Sequence, residues 1–327
     1  MNSYRPPKLF CPLPSELHPD MEAIEAEALE RWADYLGMYA RHPVFQKLRR
    51  SHFPLLLGRC HPTASQERMR AVLDFLIWNF SWDDQVDVGH LSAEWVRQQS
   101  ETASSVLHGS EPYLDSPPLL WLLASIRKRL AERMPEEWME RFIQACDTYF
   151  QGTVREAEVR GGRTCLGVDS YIALRRLSVG TYMVFAQVEA VEGFVLPREV
   201  LAHPAILSLV ETATDVIAWA NDLFSLSQDL ADDFHPNLVF SLQKEQGLCL
   251  QEAVDAAARM HDAAMRRFLE EQRQLPSFGE HDAQVALFVT GMRRWIRANV
   301  DWSIQTGRYR EDEPGPSGSE GEQSHAA

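Results

Sequence analysis

Two short stretches carry oxygen-bearing side chains where apolar ones would be expected. FSWDDQVD, residues 80–87, ends an apolar run with Asp83, Asp84 and Asp87. At about 100° of turn per residue, these three lie within an arc of about 100° on a helix. Carboxylates held that close raise one another's proton affinity unless a cation sits among them. Mg2+ suits such a cluster: it takes oxygen ligands, keeps part of its water shell, and is commonly shared between one or two carboxylates and substrate phosphates. The competing reading is a solvated helix end. Phe75, Trp78, Phe80 and Trp82 stand against it, because an exposed terminus does not surround its acids with aromatics.

The second stretch is NDLFSLSQD, residues 221–229, which follows the apolar run ETATDVIAWA. Asn221, Ser225 and Asp229 recur every fourth residue, so on a helix they form one stripe that drifts by only about 80° in total. An amide oxygen, a hydroxyl and a carboxylate are all hard donors. Together they can supply the protein face of an octahedral Mg2+ site, with waters and phosphate oxygens completing it. Val216, Ile217, Trp219, Ala220 and Leu223 mark the surrounding helix as core, against the reading of three polar residues that merely face water.

Both stretches require helices, and the rest of the chain reads the same way. Residues 20–38 open on Asp20 as a cap and place Ile24, Ala28 or Leu29, and Trp32 on one side. Residues 65–87 open on Ser65 and repeat Met69, Val72, Leu73 and Leu76 at helical spacing. Further helices are predicted over 91–108, 117–133, 136–160, 168–186, 205–230, 248–274 and 280–306. Alternating Val, Ile and Thr runs between hairpin turns are absent, so the expectation is an all-α protein of about ten helices. A bundle of that size places its site between facing helices. Residues 1–18, rich in proline, read as an extended arm, 19–310 as one domain, and 311–327 as an acidic, disordered tail.

Of the 327 residues, 45% are hydrophobic, enough for a large core, and the net charge is −15. No stripe of Lys and Arg offsets that charge, which argues against nucleic acid or an anionic membrane surface as partner. An anionic small substrate then needs a metal ion to approach. Five scattered cysteines without a CxxC pair, no secretory h-region and no apolar stretch of membrane-spanning length predict a reduced, cytoplasmic protein. His261–Asp262 and His281–Asp282 lack the upstream ligands of a phosphohydrolase site and read as surface helix positions.

DDxxD at 83–87 followed by NDxxSxxxD at 221–229 resembles the paired metal motifs of class I terpene synthases, especially the short single-domain sesquiterpene cyclases of fungi and bacteria. Two more features match: Arg175 in YIALRRLSVG, upstream of the second motif, and Arg308-Tyr309 in TGRYR near the end. The resemblance spans roughly residues 20–310. It implies an isoprenoid-synthase-type bundle with a central cavity. The activity it implies is Mg2+-dependent ionisation of a prenyl diphosphate, farnesyl diphosphate by chain size, and cyclisation of the resulting cation to a sesquiterpene. Three Mg2+ per site would be shared by Asp83, Asp84, Asp87, Asn221, Ser225 and Asp229, and Arg175, Arg308 and Tyr309 would bind the diphosphate. Two departures stand out. The family's last ligand is usually Glu where this chain has Asp229, and the residue before it is often a Lys where this chain has Gln228.

A carbocation needs a dry, apolar pocket, and aromatic faces stabilise it. Phe80 and Trp302 are the leading candidates, with Tyr149, Phe150 and Phe185 behind them; plain core packing is the alternative for each. Gly180, inside an apolar run, either breaks its helix beside the reacting carbon or is a packing glycine. Other activities open to the same sequence are a monoterpene synthase, an acyclic alcohol synthase, a prenyl-elongating synthase, and a non-catalytic helical scaffold. Monomer and homodimer are both compatible with it.

Overall fold

The computed structural model describes residues 4–35, 49–86, 91–231 and 235–309. Among them every regular element is helical. In chain order they are α1 (Met21–Tyr35), α2 (Phe53–Cys60), α3 (Gln66–Val86), α4 (Ala93–Leu107), α5 (Pro118–Ala131), α6 (Glu136–Gly161), α7 (Val168–Ser178), α8 (Thr181–Glu192), α9 (Arg198–Leu201), α10 (Pro204–Asp229), α11 (Leu238–Gln246), α12 (Leu250–Arg273), a 3-10 turn (Gly279–His281) and α13 (Asp282–Gln305). None of the helices among the described residues is long and apolar enough to cross a membrane.

The helix that carries the first stretch begins at its predicted cap, and the structure supplies one for the second. Ser65 accepts from the Arg68 N–H at 3.4 Å ahead of α3, and Pro204 opens α10 while His203 accepts from the Ala205 N–H. Each is buried on two sides. On α3, Phe75, Trp78 and Trp82 turn toward α5 and α6 and join Phe142, Trp138 and Phe150 in one apolar cluster. Leu73, Leu76 and Ile77 turn the other way, into a larger cluster built on α10, α12 and α13. The aromatics around the acids are therefore mostly core. The cavity opens where the two clusters meet.

Three elements escaped the sequence pattern: α2, α9 and α11 have eight, four and nine residues, too short for a 3.6-residue period to register. The predicted helix over 168–186 is instead two. It stops at Ser178 and restarts at Thr181, because Gly180 sits at φ 76°, a left-handed conformation no helix interior contains. The restarted helix runs on to Glu192.

The described part of the proline-rich arm lies along α12: the Arg5 N–H donates to Gln251 Oε1 and the Phe10 N–H to Asp262 Oδ1, each at 2.8 Å. His261 corrects its surface assignment. It shares a helix face with Ala257, Ala264, Met265 and Phe268, and it is fully buried. The predicted tail, 311–327, lies outside the described residues.

Candidate active site

One cavity, holding about 160 Å3 of open space, is lined from α3 by Leu76, Asn79, Phe80 and Asp83 and from α10 by Ile217, Asn221, Asp222, Ser225, Gln228 and Asp229. The two polar stretches therefore face each other across shared space. Tyr149 and Glu156 of α6, Arg175 of α7, the 178–181 break, and Trp295, Asn299 and Trp302 of α13 complete the wall, with Arg308 and Tyr309 closing it.

The stripe on α10 is held by a network that only the folded bundle assembles. Arg175 donates through Nη2 to the Asn221 amide oxygen at 2.7 Å and through Nε to Asp222 Oδ1 at 3.1 Å. The buried Asp222 also accepts from the Tyr171 hydroxyl and from the Leu238 N–H at 3.2 Å, which fastens α11 to α10. Burial alone would lower the Arg175 pKa, but Asp222 and its neighbours hold it well above its ordinary range. One turn further on, Ser225 donates to Asp229 Oδ2 at 2.7 Å and Asn237 Nδ2 to the same oxygen at 2.8 Å. Burial raises the Asp229 pKa, an effect that His235, Ser225 and Asn237 partly offset.

Across the cavity, Asp83 and Asp84 part company. Asp83 faces the opening and accepts from the Tyr149 hydroxyl at 3.0 Å. Asp84 turns away: its two oxygens accept from Arg308 Nη1 and Nη2 at 3.0 and 2.8 Å, and its side chain is 5% exposed. The neighbouring side chain projects about 100° round the helix, which here means into protein. The structure thus gives Asp84 an Arg308 partner rather than a place on the cavity wall. Asp87 lies outside the described residues. Arg308 also stands 4.9 Å from the Phe80 ring centroid; burial opposes its charge, but Asp84 more than compensates and raises its pKa. Burial pushes the Tyr309 phenol up to about 12, so it stays a donor. Its oxygen accepts from Asn221 Nδ2 at 2.7 Å.

A family model for "Terpene synthase family 2, C-terminal metal binding" matches residues 74–267, which hold both polar stretches and Arg175. The chain belongs to this terpene synthase family. Among similar proteins are the germacrene A synthase of Nostoc punctiforme, 30% identical over 94% of this chain and 96% of that one, and the (+)-T-muurolol synthase of Roseiflexus castenholzii, 30% identical over 92% and 93%. The crystal structure of the SVS_A2 protein, from ancestral sequence reconstruction, superposes with a TM-score of 0.84 at 28% identity over 92% of this chain and 90% of that one. The terpene synthase fold is therefore the all-α isoprenoid-synthase bundle.

Of the aromatic candidates in this terpene synthase, Phe80 and Trp302 line the cavity and pack with Phe53, centroids 4.1 and 5.7 Å away. Tyr149 lines it too, but Phe150 packs on Trp78 and Trp82, and Phe185 is buried in the larger core. Sequence reasoning missed Tyr171, Asp222, Glu156, Asn237 and the role of Tyr149 as a donor. Single polar residues on apolar helices carry no spacing signal; only Asp222, inside the motif itself, offered one.

Gly180 lines the cavity at the helix break, and a Cβ there would lie 3.0 Å from Met183 Cε and 3.7 Å from Tyr149 Cδ2. The methionine end can yield, so the cost is mainly the left-handed backbone, about 1–3 kcal/mol. Gly180→Ala is expected to lower unfolding free energy by that amount in a urea titration; an unchanged midpoint would contradict the strain.

Proposed function

We propose that this terpene synthase ionises farnesyl diphosphate and cyclises the carbocation to a sesquiterpene, releasing diphosphate. The observation that carries this is the convergence of Asp83 from α3 with Asn221, Ser225 and Asp229 from α10 on a single cavity that also presents the apolar and aromatic side chains of Leu56, Leu76, Phe80, Val184, Ile217 and Trp302. The names of the germacrene A and (+)-T-muurolol synthases support the C15 substrate, the latter being described as cyclising (2E,6E)-farnesyl diphosphate.

The donor set fits Mg2+. Asp83, Asn221, Ser225 and Asp229 offer hard oxygens, and Asp229 is a desolvated carboxylate whose proton affinity burial has raised, an environment that favours a neutralising cation. In this reading these four residues, with Asp87 outside the described residues, would hold three Mg2+ per site, and the bound metal would supply the charge that stabilises the leaving diphosphate. Asp84 keeps Arg308 in place instead of serving as a ligand.

The chain's own groups do the rest. Arg175 and Arg308 are forked donors suited to two phosphate oxygens each, and Tyr309 donates a phenolic proton to the same group. The −15 net charge is thereby overcome locally at the site. Phe80 and Trp302 present aromatic surface to positive charge, each contributing about 0.5–2 kcal/mol when desolvated, while Leu56, Leu76, Val184 and Ile217 exclude water. Water exclusion favours loss of a proton from the cation over its capture by water, hence a hydrocarbon product. The unpaired cysteines support a cytoplasmic setting.

Incubation of the purified protein with C10, C15 and C20 diphosphates and Mg2+, followed by gas chromatography–mass spectrometry, tests the assignment. A cyclic C15 hydrocarbon is expected to dominate. A preference for the C10 substrate, or an acyclic alcohol as main product, would refute the substrate and cyclisation claims respectively.

A further inference from the structure

Gln228 sits where a lysine that touches diphosphate would stand by resemblance, and the structure gives it another task. Its Nε2 donates to the main-chain carbonyl of Arg308 at 2.6 Å. We propose that Gln228 is a positioning residue that latches the strap 306–309, and with it Arg308 and Tyr309, across the cavity. The proposal rests on the reading of those two residues as diphosphate donors.

The strap is tied on its far side by atoms that take no part in the site. Thr306 N–H donates to the Trp302 carbonyl at 2.7 Å and Thr306 Oγ1 to the Ser51 carbonyl at 3.0 Å; Gly307 N–H reaches the Arg50 carbonyl at 3.2 Å. On the α10 side, among the described residues, it has two ties. One, Asn221 Nδ2 to the Tyr309 oxygen, joins two groups that the metal and the diphosphate would each claim. The other is Gln228. It joins an uncharged side-chain amide to a main-chain carbonyl that cannot bind an anion, so this tie can persist while Asn221 and Tyr309 re-aim.

Charge explains why a neutral donor serves here. A lysine ammonium at 228 would be drawn to a bound diphosphate and away from the Arg308 carbonyl, since a charge-assisted contact is roughly twice as strong as a neutral one. Glutamine, without a net charge, feels a weaker pull. The chain gives up one cation over the leaving group and keeps a strap whose position does not depend on whether that group is present.

Two variants separate the donor from its bulk. Gln228→Met keeps length and helix propensity without the N–H; Gln228→Glu keeps the shape and sets an acceptor against the carbonyl. In the metal-free, substrate-free protein, amide hydrogen exchange at Gly307 and Arg308 is expected to quicken about fivefold in Gln228→Met, the loss of one net hydrogen bond, and further in Gln228→Glu. In turnover, Gln228→Met is expected to lower kcat about fivefold with KM changed less than twofold. Wild-type exchange in either variant overturns the latch, and faster exchange with unchanged kcat overturns the positioning role. Because exchange is read without substrate, a wrong prenyl chain length would leave that arm intact and fail only in the product assay.

Discussion

Replacing Asp83 or Asn221 with alanine is expected to cut diphosphate release at least about a thousandfold while the far-UV circular dichroism stays that of the wild type. Each residue is assigned to the metal site on a different helix, and Lewis-acid stabilisation of a leaving group amounts to several kcal/mol, where each 1.36 kcal/mol is tenfold in rate. The structural cost is smaller. Asp83→Ala forfeits the Tyr149 contact, and Asn221→Ala forfeits those to Arg175 and Tyr309. Arg175 keeps its bond to Asp222, so the buried guanidinium is not stranded. Losses of about 1–3 kcal/mol per bond leave the bundle folded. Turnover within tenfold of wild type in either variant would show that the metal assignment is wrong.

How much of this site the sequence discloses depends on what helical periodicity can encode. Residues 221, 225 and 229 share a face because of their spacing alone, and a helix under them follows from the apolar run before them. That Asp83 meets them was implied by resemblance and then found in the packing of α3 across from α10. Periodicity does not say which of two adjacent acids points inward. Asp83 and Asp84 stand about 100° apart on the helix, and the packing turns one to the cavity and the other to Arg308, 224 positions away in sequence. The supports of the stripe were equally silent: Tyr171 comes from α7 and Asn237 from the cap of α11, and neither recurs at a spacing that would mark it. Gly180 stood out as a glycine in an apolar run with a break and a packing role both open, and its left-handed backbone decides for the break.

The division between the two adjacent acids yields the second large effect. Asp84→Ala removes the carboxylate that pairs both terminal nitrogens of Arg308, whose side chain is 8% exposed. Among the described residues, the carboxylate that stays near it is Asp83, 3.6 Å away. Breaking a buried pair by removing one partner costs about 3–5 kcal/mol, so unfolding in urea should begin at markedly lower concentration. Asp83→Ala, at a residue whose side chain is 33% exposed, should lose much less. Kinetics should rank the two the other way. With Asp84 gone, Arg308 is drawn toward Asp83 and leaves its diphosphate position, which should lower kcat/KM about tenfold to a hundredfold, short of the loss at Asp83. The crossed ordering, stability most sensitive at 84 and turnover most sensitive at 83, is what separates an arginine anchor from a metal ligand. If Asp84→Ala instead matched Asp83→Ala in lost turnover and kept wild-type stability, Asp84 would be a ligand after all.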